Sequence, residues 1–139
     1  MTKVLLSLHV LAAIVAIGPV TVAASVFPSA LRRGDRDAMR QLHRVCRVYA
    51  LLGLAVPVFG LATAGSLGVL GDAWLIVSIA LTAVAAAVLG LAVLPAQEAA
   101  LAGGPSLPAR LGMLAGVFNL LWTVVVVLMI VRPGSTTGA

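Results

Sequence analysis

The chain has 139 residues, of which 62% are apolar and only 9% are charged. Soluble domains carry about 25% charged residues, so this composition excludes a soluble globular protein, a disordered chain and a nucleic-acid-binding module. Four uncharged runs, 4–31, 48–71, 73–97 and 111–131, contain 28, 24, 25 and 21 residues. Because about 20 apolar residues are enough to span a bilayer as a helix, we predict a single integral membrane domain.

The predicted fold is an all-α, four-helix transmembrane bundle, because the runs are continuously apolar and lack the alternating polarity of barrel strands. The expected spans are 4–27, 45–67, 73–94 and 111–131. Pro28 follows the first span, and Pro95 is expected to end the third, since proline cannot continue the helical hydrogen-bond ladder. Pro19 and Pro57 are expected to bend the first two spans. The first span is interpreted as a retained helix and not as a signal peptide, because its apolar run is long.

A basic segment, 31–47, separates the first two spans. Met39, Leu42, Cys46 and Tyr49 recur in it at three- and four-residue spacing, with arginines and His43 on the other faces. This pattern predicts a short amphipathic helix that lies in the membrane interface. We expect six of its side chains to contact anionic lipid headgroups: Arg32, Arg33, Arg36, Arg40, Arg44 and Arg47. Asp35 and Asp37 are expected to cap this helix.

The basic residues are distributed unequally between the two sides of the predicted bundle. The first and third loops carry seven Lys and Arg residues, whereas the termini and the second loop carry two. The positive-inside rule therefore places both basic loops in the cytoplasm and both termini outside. The expected location is the bacterial cytoplasmic (inner) membrane.

His9 is the polar residue with the clearest chemical potential, since a neutral imidazole inside a span can ligate haem iron or copper. His43 lies at the opposite end of the bundle, so it cannot share a metal ion with His9 within one subunit. Met129 on the fourth span lies near the depth of His9, which makes a His9–Met129 cofactor site possible, with haem b or copper as the group bound. A homodimer could instead pair two His9 rings. The structural alternatives are an interfacial hydrogen bond for His9 and simple packing for Met129.

Three further side chains with polar groups lie within the spans. Asn119, near the bilayer centre, is expected to hydrogen-bond a neighbouring helix, with a substrate site as the alternative. Tyr49 and Trp74 lie near opposite ends of their spans and fit the interfacial aromatic belts. The single cysteine, Cys46, excludes an intramolecular disulfide.

Several short motifs follow one another along the chain. The first are Leu8-His9-Val10-Leu11-Ala12-Ala13 and Gly18-Pro19, and the later ones are Val56-Pro57, Pro95-Ala96-Gln97 and the ending 128–134. Their order resembles a bacterial family of predicted integral membrane proteins with no assigned function. The leading Leu-His-x-x-Ala motif is also similar to the first helix of copper-resistance D-type proteins and of haem-binding protoporphyrinogen oxidases of the J type. That likeness implies a haem-binding histidine on the first helix, but the lysine that the oxidase uses on a later helix has no counterpart, since Lys3 is the only lysine.

No catalytic pattern of a soluble enzyme is present, and the four acidic residues all lie at or beyond the ends of the spans. The leading hypothesis is a non-enzymatic accessory or assembly subunit, acting as a homo-oligomer or within a larger membrane complex. The first alternative is a haem- or copper-binding redox protein centred on His9. The second is an oligomeric small-molecule carrier, although no intramembrane acid or base supports ion coupling.

Overall fold

The computed structural model describes residues 2–105 and 107–134, and these residues form four long apolar helices. The first is α1 (Thr2–Arg33). The second comprises α2 (Arg36–Leu52) and α3 (Ala55–Leu67), and the third comprises α4 (Ala73–Val88), a π-helical turn (Leu89–Val93) and α5 (Leu94–Leu101). The fourth is α6 (Pro108–Val131). Each long helix has the length and composition needed to cross a membrane, which confirms the all-α fold with four candidate spans.

The first two long helices form an antiparallel hairpin along their whole length. Thr2 contacts Ser66, His9 contacts Gly60, and Ala16 lies beside Gly53, so residue numbers rise along α1 as they fall along α3. The tight turn between α1 and α2 uses Gly34 at φ +67, a left-handed conformation that glycine adopts without steric cost. Asp35 then caps α2 by accepting a hydrogen bond from the Ala38 amide at 3.1 Å, as expected from the sequence.

The first helix does not end before Pro28, contrary to the sequence-based prediction, but continues to Arg33. An internal proline costs a helix about 3 kcal/mol or more. Pro28 is buried, and its ring lies against Gly112 of α6, so interhelical packing offsets this local cost. Arg32 and Arg33 occupy the last turn, where positive charge complements the helix dipole.

The second long helix is interrupted one turn before Pro57. The ring of a proline crowds the carbonyl four residues earlier, which here belongs to Gly53. The Gly53 carbonyl instead accepts from the Val56 amide at 3.1 Å, and Leu54 bonds back to Leu51 at 3.2 Å. These tighter i−3 bonds separate α2 from α3 without leaving the Gly53 carbonyl unpaired.

The third long helix does not end at Pro95, contrary to the sequence-based prediction, but extends to Leu101. The π-helical turn immediately before this proline explains the difference. Its wider hydrogen bonding, with the Leu94 amide donating to the Leu89 carbonyl, loosens the backbone where a regular α-helix would clash with the proline ring. The helix therefore reaches Gln97 and Glu98, which the sequence had placed in a loop.

The four long helices pack in sequential antiparallel order around two main clusters. One cluster, toward the middle, contains Val20, Cys46, Leu89 and Phe118, and the second, at the basic end, contains Phe27, Met39 and Leu111. The second and third long helices meet mainly where α2 packs against α5. Grooves therefore remain open on this side of the bundle.

Large apolar side chains cover the outer surface of the bundle. Leu91 is 80% exposed, Leu51 69% and Ile130 66%. A soluble monomer rarely displays apolar surface on this scale, whereas a bilayer solvates it. The distribution therefore supports the multi-pass membrane protein that the four candidate spans indicate.

Candidate functional site

A buried polar cluster joins α2 to α5 at the basic end of the bundle. The His43 Nδ1 atom lies 2.9 Å from the Gln97 Oε1 atom, and the Gln97 amide nitrogen donates toward the Cys46 Sγ atom at 3.5 Å. Gln97 is 1% exposed and His43 7%. Because an amide oxygen can only accept, His43 donates through Nδ1. The cluster fixes the second long helix against the third.

A carboxylate borders the outer edge of this cluster. Glu98 Oε1 lies 3.7 Å from His43 Nε2, but the Glu98 side chain is 62% exposed. Solvent screening at that exposure leaves little net stabilisation. Within the described residues, no group of three or more His, Cys, Asp or Glu side chains could hold a metal ion. The hydrogen bonds of Gln97 to His43 and Cys46 connect the second long helix to the third.

The sequence-based prediction that His43 lies on the polar face of α2 is wrong, and Gln97 is a site residue that the sequence analysis does not single out. The buried residues of α2 are Met39, His43 and Cys46, which lie at i, i+4 and i+7 on one face of a helix. That spacing was visible in the sequence. The partner was not, because Gln97 lies 54 residues further along the chain and follows a proline that was expected to end its helix.

The six arginines predicted to contact headgroups all lie at this end of the bundle, but their local partners differ. Arg33 donates to Ser29 at 2.8 Å, Arg36 to the Leu101 carbonyl, and Arg40 pairs with Asp37 at 3.3 Å. Two others, Arg44 and Arg47, line open grooves beside α2. Arg32 is exposed in the last turn of α1.

His9 lies in a notch between α1 and α3. Its Nδ1 atom is 2.8 Å from the Val56 carbonyl oxygen, which accepts, so the neutral ring carries its proton on Nδ1 and its lone pair on Nε2. The ring occupies the space that a side chain at position 60 would need: a Cβ atom on Gly60 would lie 2.9 Å from the His9 Cε1 atom. Gly60 is therefore required for this close approach.

Met129 belongs to an apolar cluster at one end of the bundle. It packs against the cluster of Ala64, Val69, Trp74 and Leu75 at the end of the bundle opposite to the arginines. Trp74 is buried and donates to Asp72 at 3.1 Å, with the Arg132 guanidinium 5.6 Å from its ring centroid. Trp74 thus faces the interior of the protein. A residue of an interfacial aromatic belt would instead face the lipid.

Asn119 links α6 to α1. Its amide nitrogen donates to Ser25 Oγ at 3.0 Å, and its oxygen accepts from the Trp122 indole at 3.2 Å. This is the interhelical role expected from the sequence. Tyr49 is partly buried and packs against the central cluster.

The remaining hydroxyl groups in the spans are used mainly within their own helices. Ser78, Thr63 and Thr82 each bond the carbonyl four residues earlier, at 2.7–2.8 Å. The Thr21 hydroxyl is buried without a hydrogen-bond partner among the described residues. No family model, curated protein or solved structure matches this chain.

Proposed function

We propose that this protein is a non-catalytic four-helix subunit of the bacterial cytoplasmic membrane, with an accessory or assembly role as a homo-oligomer or in a larger complex. The hydrogen bonds that its intramembrane polar side chains form between helices support this role. His43 bonds Gln97, Asn119 bonds Ser25, and His9 bonds the Val56 carbonyl. These groups hold helices together, which favours a packing function over transport or catalysis.

We also propose that both termini lie outside, with the amphipathic part of α2 at the cytoplasmic interface and its arginines against anionic headgroups. The clustering of six arginines at one end of the bundle supports this orientation. Gly71 is exposed in the turn between α3 and α4, and Ala102 is exposed in the turn between α5 and α6, at the other end of the bundle. In a Cys46→Ser background, a membrane-impermeant maleimide should label Gly71→Cys in intact spheroplasts and Ala102→Cys only after lysis. The reverse pattern would contradict the orientation.

A redox role centred on His9 is the second candidate, and one observation favours it. Ligand histidines commonly donate their second ring N–H to a carbonyl, which fixes the tautomer and leaves the other nitrogen for the metal. The His9 bond to the Val56 carbonyl has this form, with Nε2 carrying the lone pair. The family resemblance to haem- and copper-linked membrane proteins agrees with it, and Met129, the second ligand expected from the sequence, packs against the cluster that contains Trp74.

A single preparation distinguishes the two candidates. The full-length protein is crosslinked in membranes of haem-replete, copper-fed cells and purified in a mild detergent. Its co-purifying proteins, absorbance spectrum and metal content are then measured. An accessory subunit should give a discrete crosslinked oligomer or complex, without a haem Soret band or stoichiometric copper.

The redox candidate predicts a Soret band or bound copper that the His9→Ala variant loses and the Asn119→Leu variant keeps. A colourless, metal-free monomer without a crosslinked partner would contradict both candidates. Such a monomer would leave the oligomeric carrier without support as well.

A further inference from the structure

Two adjoining grooves run along the outside of the bundle between the second and third long helices. One has a volume of about 430 Å³ and is lined by His43, Arg44, Arg47, Val48 and Leu51. The other, of about 310 Å³, runs on from Arg47 between α2 and the π-helical turn. They share Arg47 and Leu51, so together they form one lateral groove.

The wall that α2 contributes changes from basic to apolar along its length. Arg44 and Arg47 lie one turn apart, and Leu51 and Leu54 continue the same wall toward the middle of the bundle. At a rise of about 1.5 Å per residue, the distance from Arg44 to Leu54 is roughly 15 Å. This is about half the thickness of a bilayer hydrocarbon core, so the groove has the length of one leaflet.

The opposite wall is formed by small and aliphatic residues of the third long helix. Ala86 and Gly90 face the groove, flanked by Leu89 and Leu94. A Cβ atom added at Gly90 would have no neighbour within 4 Å. The absence of larger side chains at these two positions therefore creates the apolar part of the groove.

Among the described residues, neither arginine at the mouth of the groove forms an ion pair, although Glu98 lies 3.7 Å from His43, which lines the same groove. In the described part of the chain, neither Arg44 nor Arg47 has a carboxylate within ion-pair distance, whereas the neighbouring Arg40 is paired with Asp37. Both arginine side chains are exposed. Two unpaired guanidinium groups one helical turn apart suit a phosphate, because the guanidinium fork binds phosphate oxygens with two hydrogen bonds.

We propose that this groove binds one anionic phospholipid, with its phosphate between Arg44 and Arg47 and an acyl chain along Leu51, Leu54, Ala86 and Gly90. The order of charged and apolar residues along the groove matches the order of headgroup and tail in such a lipid. The bound lipid fills the gap that α2 and α4 leave between them. The inference rests on the proposed membrane insertion of the four helices but does not depend on which end faces the cytoplasm.

The test is a titration of the detergent-purified full-length protein with dioleoyl phosphatidylglycerol, followed by native mass spectrometry. Dioleoyl phosphatidylcholine and inorganic phosphate are the comparison ligands. The protein should bind phosphatidylglycerol in preference to phosphatidylcholine, and inorganic phosphate should not displace it. Arg47→Gln should weaken phosphatidylglycerol binding about five-fold, as expected for one arginine at an anionic headgroup. Gly90→Leu should weaken it on the order of ten-fold by displacing about two methylene groups of the chain.

Two matched variants serve as controls. Arg110→Gln removes an arginine that does not line the groove, and Gly116→Leu adds the same side chain where a Cβ also has open space. Both should bind phosphatidylglycerol as the unmodified protein does. If Gly90→Leu fails to fold by circular dichroism, Ala86→Leu tests the same wall. Equal binding of both lipids, displacement by phosphate, or equal losses in the groove and control variants would overturn the proposal.

Discussion

Replacing Gln97 with leucine is expected to lower the free energy of unfolding by about 2 kcal/mol. Interhelical hydrogen bonds in membranes average only about 0.6 kcal/mol, because the unfolded chain in the membrane also finds partners. The larger value is expected here because the substitution leaves the buried His43 Nδ1–H group without an acceptor. An orphaned buried donor costs about 1–3 kcal/mol. The measurement is an SDS titration of the protein in mixed micelles, in which circular dichroism monitors unfolding.

A double-mutant cycle separates the hydrogen bond from the loss of glutamine itself. The His43→Leu/Gln97→Leu variant should recover most of the stability that Gln97→Leu loses, because neither polar group then remains buried and unpaired. Gln41→Leu is the matched control, since Gln41 lies on the same end of α2 but is exposed, and it should change stability by less than about 0.5 kcal/mol. Strictly additive effects in the cycle would show that the two side chains do not interact.

Replacing Gly60 with alanine is expected to lower the free energy of unfolding by about 1–2 kcal/mol relative to the same change at Gly65. Both glycines lie in α3, and a Cβ at Gly65 has no neighbour within 4 Å, whereas a Cβ at Gly60 would lie 2.9 Å from His9 Cε1. The His9 ring must move, and it then loses its bond to the Val56 carbonyl. Gly65→Ala itself should be neutral or stabilising, because alanine favours the helix.

The same comparison in a His9→Ala background identifies the cause. Without the imidazole there is no ring for the new methyl group to displace, so Gly60→Ala and Gly65→Ala should then have similar effects in the SDS titration. A penalty at Gly60 that persists without His9 would mean that the backbones of α1 and α3, and not the ring, set the close approach.

The ends of the long helices show where the rule that proline ends a helix does not predict the structure. The sequence predicts helix ends at Pro28 and Pro95, since an internal proline removes a hydrogen bond and clashes with the preceding turn. In the structure both prolines lie inside long helices, one packed against Gly112 and the other preceded by a π-helical turn. The cost of each proline is local, whereas the contacts and the altered turn that offset it depend on the rest of the bundle.

The candidate site was only partly accessible from the sequence. The intramembrane positions of His9 and Asn119 mark them as polar groups that need partners, because an unpaired polar group is costly in hydrocarbon. Their acceptors, the Val56 carbonyl and Ser25, lie 47 and 94 residues away. Nothing in the pattern of either helix specifies such distant partners.

Composition and the spacing of charges by themselves determined the four apolar helices and the basic end, because hydrophobic length and the cost of charge in a bilayer act residue by residue. The tertiary structure alone decided which face of each helix is buried and how far each helix extends. It turned His43 inward to Gln97, placed His9 against Gly60, and left Arg44 and Arg47 at an open groove. These features are contacts between helices, and their energies depend on packing that no single segment contains.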